Sequence, residues 1–390
     1  MNKLSLFDGM SGLQIAFHDM GLKSGKYYAS EIDKFAIQQT QYMFPDTIQI
    51  GSVVDVDVTE LDYIGFLGGG SPCQSFSFAG KRKGMSTKSE IEIATLDHYL
   101  QLKSEGFEFE GQSYLFWEYV RILTDIRKYN PDVLFLLENV EMGKKWERVL
   151  SNALGLFGVH INSAKVSAQN RKRIYWTNIK TTTKGLFSEL HSDIPQPKDR
   201  GILLKDILQP ESEIDEKYYI KNPKFGFNAM DVNTKGKTLR AGGKAAQSEK
   251  HNYDTIKLDK ELNVKADQNK ASCFTAGGNS GGNHSDMDII CVAMRGRNAE
   301  NPSDGKTGSP TEQRLEPKTD GKTNCLTSVS KDNLLTNGYL LRRLTPIECA
   351  RLQTVPSWYK WIVSDSQIYK ILGNGWTIEV IKHILSFIKL

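Results

Sequence analysis

The chain has 390 residues, 39% hydrophobic and 25% charged, and its formal net charge of +4 does not by itself indicate a nucleic-acid partner. This length is enough for a large core and two domains, and because no apolar run could span a membrane or act as a signal peptide, we expect a cytoplasmic protein. Five scattered cysteines form no Cys-x-x-Cys pair and no metal-ligand pattern, which suits a reducing cytosol and predicts no metal site.

The N-terminus predicts the start of an open α/β sheet. Residues 3–7 are typical of a strand, residues 8–12 of a glycine turn and residues 13–20 of a helix. In doubly wound α/β folds this succession forms the first part of a cofactor site. The turn lacks the full dinucleotide fingerprint, so a nicotinamide cofactor is disfavoured.

An acidic residue follows the second predicted strand. Residues 26–30 end in Glu31, which is placed to accept hydrogen bonds from ribose hydroxyls, whereas Asp33 is placed to cap a helix. A third strand near residues 47–50 leads to Ser52 and Val53, followed by Asp55.

A cysteine follows the next apolar run. Residues 61–67 predict a buried strand, three glycines follow, and Pro72 fixes the backbone before Cys73. A lone cysteine is usually a small buried hydrophobe, but glycines, a proline and hydroxyl residues do not make a core. We therefore predict a nucleophilic thiolate at Cys73.

Residues 86–111 form a polar insertion that predicts a solvated lid or surface excursion, with a possible helix at 91–102. An amphipathic helix at 112–129 and a strongly apolar strand at 132–137 follow, and the strand ends in Glu138. Burial disfavours the charged form of such a carboxylate, so we predict an uncharged proton donor. The alternative is a salt-bridged strand end.

Basic and amide side chains alternate just before the predicted strand at 174–177. Gln169, Arg171 and Arg173 suit a phosphate or nucleobase contact, and an exposed charge run is the alternative. Asp8, Glu31, Ser52, Cys73 and Glu138 each follow a predicted strand. They are therefore expected to meet at the carboxyl edge of one sheet, where open α/β folds bind ligands.

The second half changes character. Residues 180–338 are rich in Gly, Asn, Ser, Thr and Lys, with a weak repeat between 237–243 and 272–278 and a fainter copy at 324–328. We interpret these as short strand–loop–strand units, although chance similarity is an alternative. His284, Asp286 and Asp288 do not have metal-ligand spacing. Helices are predicted at 346–353 and 376–390, the second returning to the N-terminal sheet.

The order of the motifs resembles that of the DNA cytosine-5 methyltransferase family. The resemblance covers residues 4–178 and 340–390 and rests on six segments in family order: 7–12, 70–74, 138–140, 169–173, 342–353 and 373–375. Two positions depart from the family pattern. Ser52 stands where the family often has Asp, and Gly375-Trp376 follows Asn374 where a hydroxyl residue is usual.

The resemblance implies a fold, a domain arrangement and a reaction. The fold is α/β, a Rossmann-like S-adenosylmethionine-dependent methyltransferase sheet with a smaller inserted target-recognition domain. The catalytic domain is expected at 1–179, the target-recognition domain at 180–339 and a segment returning to the catalytic domain at 340–390. The activity implied is methyl transfer to C5 of a flipped-out cytosine in a specific duplex DNA sequence, through a covalent Cys73–C6 intermediate.

The resemblance also implies roles for single residues. The catalytic set is Cys73 as nucleophile, Glu138 as the acid at N3, Arg173 at the base O2 and Arg171 as a phosphate or supporting contact. The implied S-adenosylmethionine contacts are Phe7, Asp8, Gly9, Ser11, Gly12, Glu31, Ile32, Ser52, Val53, Asp55, Pro72, Leu115 and Asn374. The implied DNA contacts are Gln74, Ser75, Ser77, Lys81, Arg82, Lys83 and Gln169. We further expect a monomer in a bacterial or phage-infected cell, with a cognate restriction endonuclease as a potential partner.

Two other functions fit part of this pattern. One is the same chemistry on tRNA, as in one branch of the family, although the large inserted region favours a DNA sequence reader. The other is a DNA-binding regulator with an inactive site, against which the set of Cys73, Glu138 and Arg173 argues.

Overall fold

A computed structural model describes residues 1–72, 85–219, 290–298, 311–318, 322–326, 333–336 and 341–389, with the backbone alone at 290, 293–298, 311–317 and 341. The chain divides into two compact units. The first contains residues 1–167, 171–201 and 353–390, and the second contains residues 168–170 and 202–352. These bounds differ from the predicted ones, because the first unit continues past residue 179 and residues 341–352 belong to the second.

The first unit alternates strands and helices along the chain. Its strands are β1 (Asn2–Leu6), β2 (Tyr27–Ser30), β3 (Ile48–Gln49), β4 (Ile64–Gly70), β5 (Leu134–Val140), β6 (Val159–Asn162), β7 (Lys172–Thr177), β8 (Thr181–Lys184) and β9 (Glu189–Ser192). Its helices are α1 (Gly12–Asp19), α2 (Lys34–Met43), α3 (Leu96–Ser104), α4 (Phe116–Tyr129), α5 (Lys144–Leu154), and, near the C-terminus, α7 (Asp365–Asn374) and α8 (Ile378–Leu385).

The described part of the first unit contains a seven-stranded sheet in the order β3-β2-β1-β4-β5-β7-β6. β1 to β5 pair in parallel, and β7 runs antiparallel to both β5 and β6. Strand order reverses next to β1, which is where such sheets bind ligands at their carboxyl edge. β8 and β9 form a separate hairpin. The sheet is Rossmann-like, as predicted.

The three glycines before Cys73 lie inside strand β4. The prediction ended this strand at residue 67, but it continues through Gly70. An added Cβ would lie 2.4 Å from Leu13 Cδ2 at Gly68 and 3.0 Å from Tyr119 Cε2 at Gly69. The glycines are therefore needed so that α1 and α4 can pack closely on the strand.

The insertion at 86–111 is not a solvated excursion. Met85, Ile93, Tyr99 and Leu102 are buried in the same hydrophobic cluster as the sheet. The segment folds back on itself through hydrogen bonds such as Glu110 N to Ser86 O, 2.9 Å. The solvated prediction is therefore wrong, because a few widely spaced apolar residues of the insertion, Ile93, Tyr99 and Leu102, are buried in the core.

The C-terminal segment of the first unit packs on its N-terminal helix. α8 contacts α1, and an added Cβ at Gly12 would lie 3.5 Å from Ile378 Cδ1. This agrees with the predicted return to the N-terminal sheet, although the helix begins at Ile378, after a helix (α7) that was not predicted. Among the described residues, no helix is long and apolar enough to cross a bilayer.

The described part of the second unit contains a four-stranded antiparallel sheet and one helix. The sheet order is β11-β10-β12-β13, and the elements are β10 (Ile290–Asn298), β11 (Thr311–Pro317), β12 (Leu334–Thr336), β13 (Leu341–Arg343) and α6 (Pro346–Leu352). Within this unit Arg342 donates to both oxygens of buried Glu348, at 2.8 and 2.9 Å. The predicted repeat copies at 237–243 and 272–278, and the group at 284–288, lie outside the described residues.

Candidate active site

A cavity of about 550 Å³ lies in the first unit, where the carboxyl ends of β1, β2, β4 and β5 meet the turn after α7. It is lined by fourteen of the predicted site residues: Phe7, Asp8, Gly9, Gly12, Glu31, Ile32, Ser52, Val53, Pro72, Leu115, Glu138, Arg171, Arg173 and Asn374. Ser11 and Asp55 are not in its lining. Cys73, Gln74, Ser75, Ser77, Lys81, Arg82 and Lys83 lie outside the described residues.

The turn after β1 has unusual backbone angles for its sequence. Phe7, Gly9 and Ser11 all have positive φ, at 57°, 57° and 59°. For Phe7 and Ser11 this conformation costs energy and is held only by surrounding contacts, as often occurs where a chain shapes a ligand site. Ser11 is fully buried, and its hydroxyl lies close to Asp8 Oδ2 and 3.2 Å from Thr40 Oγ1. Ser11 therefore supports the turn from beneath.

Asp8 is a buried carboxylate under this turn. Its Oδ1 accepts a hydrogen bond of 2.8 Å from the Tyr27 hydroxyl, and its Oδ2 accepts one from Ser11. Burial raises the pKa of Asp8 from 3.8 to about 6, although the hydrogen bonds from Ser11 and Tyr27 limit the rise. Near neutral pH the folded protein therefore carries a charge here at some energetic cost.

Glu31 joins the first two turns of the sheet edge. Its Oε2 accepts from Gly9 N at 2.8 Å, and its Oε1 accepts from Ile32 N at 2.7 Å and Asp33 N at 2.8 Å. A carboxylate offers about four acceptor positions, so one is left for a ligand hydroxyl in the cavity. Asp33 caps α2 through Phe35 N and Ala36 N, as predicted.

Glu138 and Arg173 face each other across neighbouring strands. Arg173 Nε lies 2.8 Å from Glu138 Oε1, and both side chains are largely buried. This pairing is the salt-bridged strand end that the sequence offered as the alternative to a proton donor.

Asn139 supports the segment that leads into Cys73. Its Nδ2 donates to Ser71 Oγ at 2.9 Å and to Ser71 O at 3.3 Å. Both residues are buried, and Pro72 follows at the cavity wall. The end of β4 is thus tied to the end of β5 just before the predicted nucleophile.

Arg171 is buried, and its guanidinium donates to backbone carbonyls. Its Nη2 lies 2.8 Å from Gly375 O and its Nη1 lies 3.5 Å from Gly373 O, at the C-terminus of α7. A cation stabilises the negative end of a helix dipole. The geometry gives Arg171 a supporting role for the turn that holds Asn374, which was one of its two predicted roles.

Gln169 is a fully buried residue of the second unit. Its Nε2 donates to Leu352 O at 3.0 Å, and its Oε1 accepts from Leu326 N at 2.8 Å. With both amide atoms bonded to backbone, Gln169 is placed to organise this unit and not to contact DNA as predicted. The alternation of Gln169 with arginines in the sequence is the same for a buried structural residue as for a DNA contact, so the sequence did not distinguish the two.

Gly70, Lys370 and Trp376 are among the cavity residues that were not singled out as site residues from the sequence. Gly70 packs so closely that an added Cβ would lie 2.8 Å from Trp376 Nε1 and 3.2 Å from Glu138 Oε2. Lys370 of α7 pairs with Asp33 at the cavity lining. The departure from the family pattern at Gly375-Trp376 was the sequence signal for the tryptophan. Gly70 was marked only as part of segment 70–74, and Lys370 had no signal.

These walls suit S-adenosylmethionine, a ligand with an adenine, a ribose and an amino-acid end. Ile32 is 72% exposed and Val53 and Leu115 add apolar surface, which fits the adenine ring. Glu31 keeps an acceptor for ribose. The cavity volume lies within the range of small-molecule sites.

The sequence matches the model of a family described as C-5 cytosine-specific DNA methylase over residues 1–98 and 100–390. The chain belongs to this family. It is therefore a DNA cytosine-5 methyltransferase by family, an enzyme that methylates cytosine with S-adenosylmethionine as cofactor.

Two relatives illustrate the similarity along the whole length. The Type II methyltransferase M.HgiCI of Herpetosiphon aurantiacus is 26% identical over 439 residues, covering 98% of this chain and 96% of that protein. The Type II methyltransferase M.HhaI of Haemophilus parahaemolyticus is 25% identical over 395 residues, covering 98% and 92%.

Solved structures of other methyltransferases have a similar fold. A DNMT2 variant of Spodoptera frugiperda superposes with a TM-score of 0.52 at 16% identity, covering 99% of both chains. DNMT2 of S. pombe gives a TM-score of 0.52 at 15% identity, covering 100% of this chain and 98% of that chain.

Proposed function

We propose that this methyltransferase acts on C5 of a cytosine flipped out of a specific duplex DNA sequence, with Cys73 as a covalent nucleophile. The observation that carries the proposal is the Glu138–Arg173 pair, 2.8 Å apart, at a cavity lined also by Ser71 and Pro72, the two residues that precede Cys73 in the sequence. A base must leave the duplex stack to reach such a site, at a cost of roughly a few kcal/mol.

The chemistry requires covalent activation because cytosine C5 is a weak nucleophile. The Cys73 thiolate attacks C6, an S–C6 bond forms, and the displaced π electrons reach C5 while N3 takes a proton. When bound, S-adenosylmethionine supplies an electrophilic methyl group. C5 would take that methyl group, and the electron pair of the broken methyl–sulfonium bond would stay on the departing cofactor's sulfur. A base then removes the C5 proton, the S–C6 electron pair returns to the Cys73 sulfur and N3 releases its proton, which restores the ring.

Glu138 changes its protonation state in this scheme. In the free site its Oε1 lies 2.8 Å from Arg173 Nε. A base entering the cavity places N3 beside Glu138, which takes up a proton from solvent and passes it to N3 as negative charge develops there. Arg173 steadies the carboxyl and is placed to reach O2 of the base.

The cofactor residues follow from the cavity lining. Glu31 holds the ribose, Ile32, Val53 and Leu115 contact the adenine, and Asn374 lies at the amino-acid end. Asp8 and Ser11 act from beneath, by holding the turn in which Gly9 and Gly12 lie. Asp55 lies outside the lining, so it is not proposed to replace the acidic residue that is absent at Ser52.

The second unit is proposed as the target-recognition domain. The named relatives are Type II methyltransferases, and a sequence-specific enzyme needs a surface that reads base edges in the major groove. A cognate restriction endonuclease, a monomeric state and a cytoplasmic location in a bacterial or phage-infected cell belong to the same proposal. Light scattering of the purified chain tests the monomer.

The rival substrate is tRNA. Equal concentrations of genomic DNA and total tRNA, labelled in competition with a methyl-tritiated cofactor, distinguish the two. We expect DNA to take the label, and faster incorporation into tRNA would contradict the DNA assignment. Bisulfite sequencing of DNA from expressing cells then identifies the recognised sequence.

Trapping with 5-fluorocytosine tests the covalent step, because fluorine at C5 cannot leave as a proton. We expect a stable protein–DNA adduct on denaturing gels with the parent, none with Cys73→Ser, and an unchanged adduct with Cys325→Ser as the matched cysteine control. A parent protein that binds the DNA but forms no adduct would support the inactive regulator.

A separate variant tests the acid. Glu138→Gln keeps the side chain's size but cannot supply a proton, so turnover is expected to fall by about 10²–10⁴-fold while DNA binding by gel shift persists. Undiminished methyl transfer would remove Glu138 from its role at N3.

A further inference from the structure

The inserted segment is connected to the cavity by a buried carboxylate. Glu118, in the first turn of α4, has no solvent exposure. Its Oε1 accepts from the Tyr99 hydroxyl at 2.5 Å and from Lys103 Nζ at 2.6 Å, both on the inserted helix α3. Its Oε2 accepts from Arg121 Nε at 2.6 Å. Three donors thus converge on a group that burial would otherwise strongly disfavour as an ion.

One arm of this network reaches the wall that follows β3. Arg121 Nη1 donates to Val56 O at 3.0 Å, and its Nη2 donates to Val53 O at 3.3 Å. Val53 and Val54 line the cavity on the next stretch of chain. Glu118 therefore orients the guanidinium that holds this wall in place.

The other arm reaches the wall just before α4 through aromatic rings. Tyr99 lies 5.1 Å from the Phe109 ring, and Phe109 stacks on Tyr114 at 4.5 Å between centroids. Tyr114 and Leu115 line the cavity. The hydroxyl of Tyr99 is fixed by Glu118, so one carboxylate fixes the starting points of both arms.

We propose that Glu118 is a positioning residue for the cofactor. Through it, the inserted helix α3 holds the Val53–Val54 and Tyr114–Leu115 walls in the shape that binds the adenine end of S-adenosylmethionine. This rests on the proposed placement of the cofactor in the cavity and needs neither Cys73 nor the DNA chemistry. In this proposal the insertion stabilises the cavity wall next to Ser52, the position at which the family often has Asp.

Cofactor affinity tests this without turnover. Titration calorimetry of the full chain with S-adenosylmethionine is expected to show Kd about tenfold higher for Glu118→Gln, equivalent to ~1.4 kcal/mol. Tyr99→Phe, which keeps the ring and removes one donor, is expected to raise Kd by about threefold. The control is Glu108→Gln, which breaks an exposed pair with Lys88 on the same insertion and is expected to leave Kd unchanged.

Steady-state kinetics distinguish a specific effect of Glu118 on cofactor binding from a general loss of active-site structure. At saturating cofactor, kcat and the KM for DNA are expected to stay within about twofold of the parent, because only uniform cofactor binding is lost. A Glu118→Gln protein that melts cooperatively but binds the cofactor as tightly as the parent would overturn the proposal. If that variant does not fold, Tyr99→Phe decides, and an unchanged Kd there overturns it too. Glu31→Ala tests separately whether the cofactor binds in this cavity. Full affinity of that variant for S-adenosylmethionine would reject the cavity as the cofactor site.

Discussion

Replacing Asp8 by Asn is expected to stabilise the protein at neutral pH. The two side chains have nearly the same shape. The amide oxygen can accept from one of the two hydroxyls of Tyr27 and Ser11, and the other hydroxyl can turn to accept from the amide NH2. The raised pKa, from 3.8 to about 6, spans about two units at ~1.4 kcal/mol each, so ionised Asp8 costs the fold about 3 kcal/mol. Asn removes this cost because it has no charge.

The stability difference between the parent and Asp8→Asn depends on pH in a defined direction. Because the folded pKa is the higher one, the cost is absent below the unfolded value of 3.8, grows between the two values and is complete above about 6. The unfolding free energy of the parent therefore falls relative to Asp8→Asn as pH rises from about 4 to 7. Roughly half of the difference is expected already at pH 5.

Urea denaturation followed by tryptophan fluorescence, at several pH values from 4.5 to 8, measures the difference between the two proteins. Asp57→Asn is the control with the opposite sign, since hydrogen bonds from Thr59 lower the pKa of Asp57 and its stabilisation is present at neutral pH. An Asp8→Asn protein that is less stable than the parent by the same amount at every pH would refute the reasoning. In that case the carboxylate acts as a net stabilising acceptor in the ionised form.

Two substitutions near the nucleophile segment are expected to affect turnover. Gly70→Ala puts a Cβ 2.8 Å from Trp376 Nε1, so we expect a loss of about 1–3 kcal/mol of stability, measured by denaturation, and a lower kcat, measured by methyl incorporation. The control is Gly143→Ala, where an added Cβ meets nothing within 4 Å. Equal effects of the two substitutions would contradict the steric argument. Asn139→Ala removes the buried donor to Ser71, so we expect the protein to lose about 1–3 kcal/mol of stability. We also expect kcat to fall while the Kd for the cofactor is unchanged. A raised cofactor Kd with unchanged kcat would contradict this.

The sheet and its carboxyl edge were predictable from the sequence for a physical reason. β5 opens with an apolar run, residues 134–137, directly before Glu138, and buried β1 is followed two residues later by Asp8, so burial places the strands and the polar groups come near their carboxyl ends. The position of Glu138 was therefore predictable, but the local sequence did not indicate its ion-pair partner. That partner is Arg173, 35 residues further along the sequence and adjacent only because β7 pairs antiparallel with β5.

The inserted segment shows where sequence reasoning fails. Its apolar residues do not follow a clear helical or strand period, so nothing local indicates burial. The local sequence indicates surface positions for Tyr99 and Lys103. In the fold, α3 packs on α4 and both residues contact Glu118. Glu118 itself sits on a helix whose other charged residues are at least partly exposed, and a buried ion is rarely inferred without its partners.

The three residues from Ala168 to Asn170 belong to the second unit although the chain on either side belongs to the first. They are bonded there through Thr323 N to Ala168 O at 2.8 Å and through both amide atoms of Gln169. An exchange of the proposed target-recognition domain between family members therefore has to include two segments of the chain. A graft of residues 202–352 alone would leave residues 168–170 behind, whereas a graft that also carries 168–170 transfers the unit together with these hydrogen bonds.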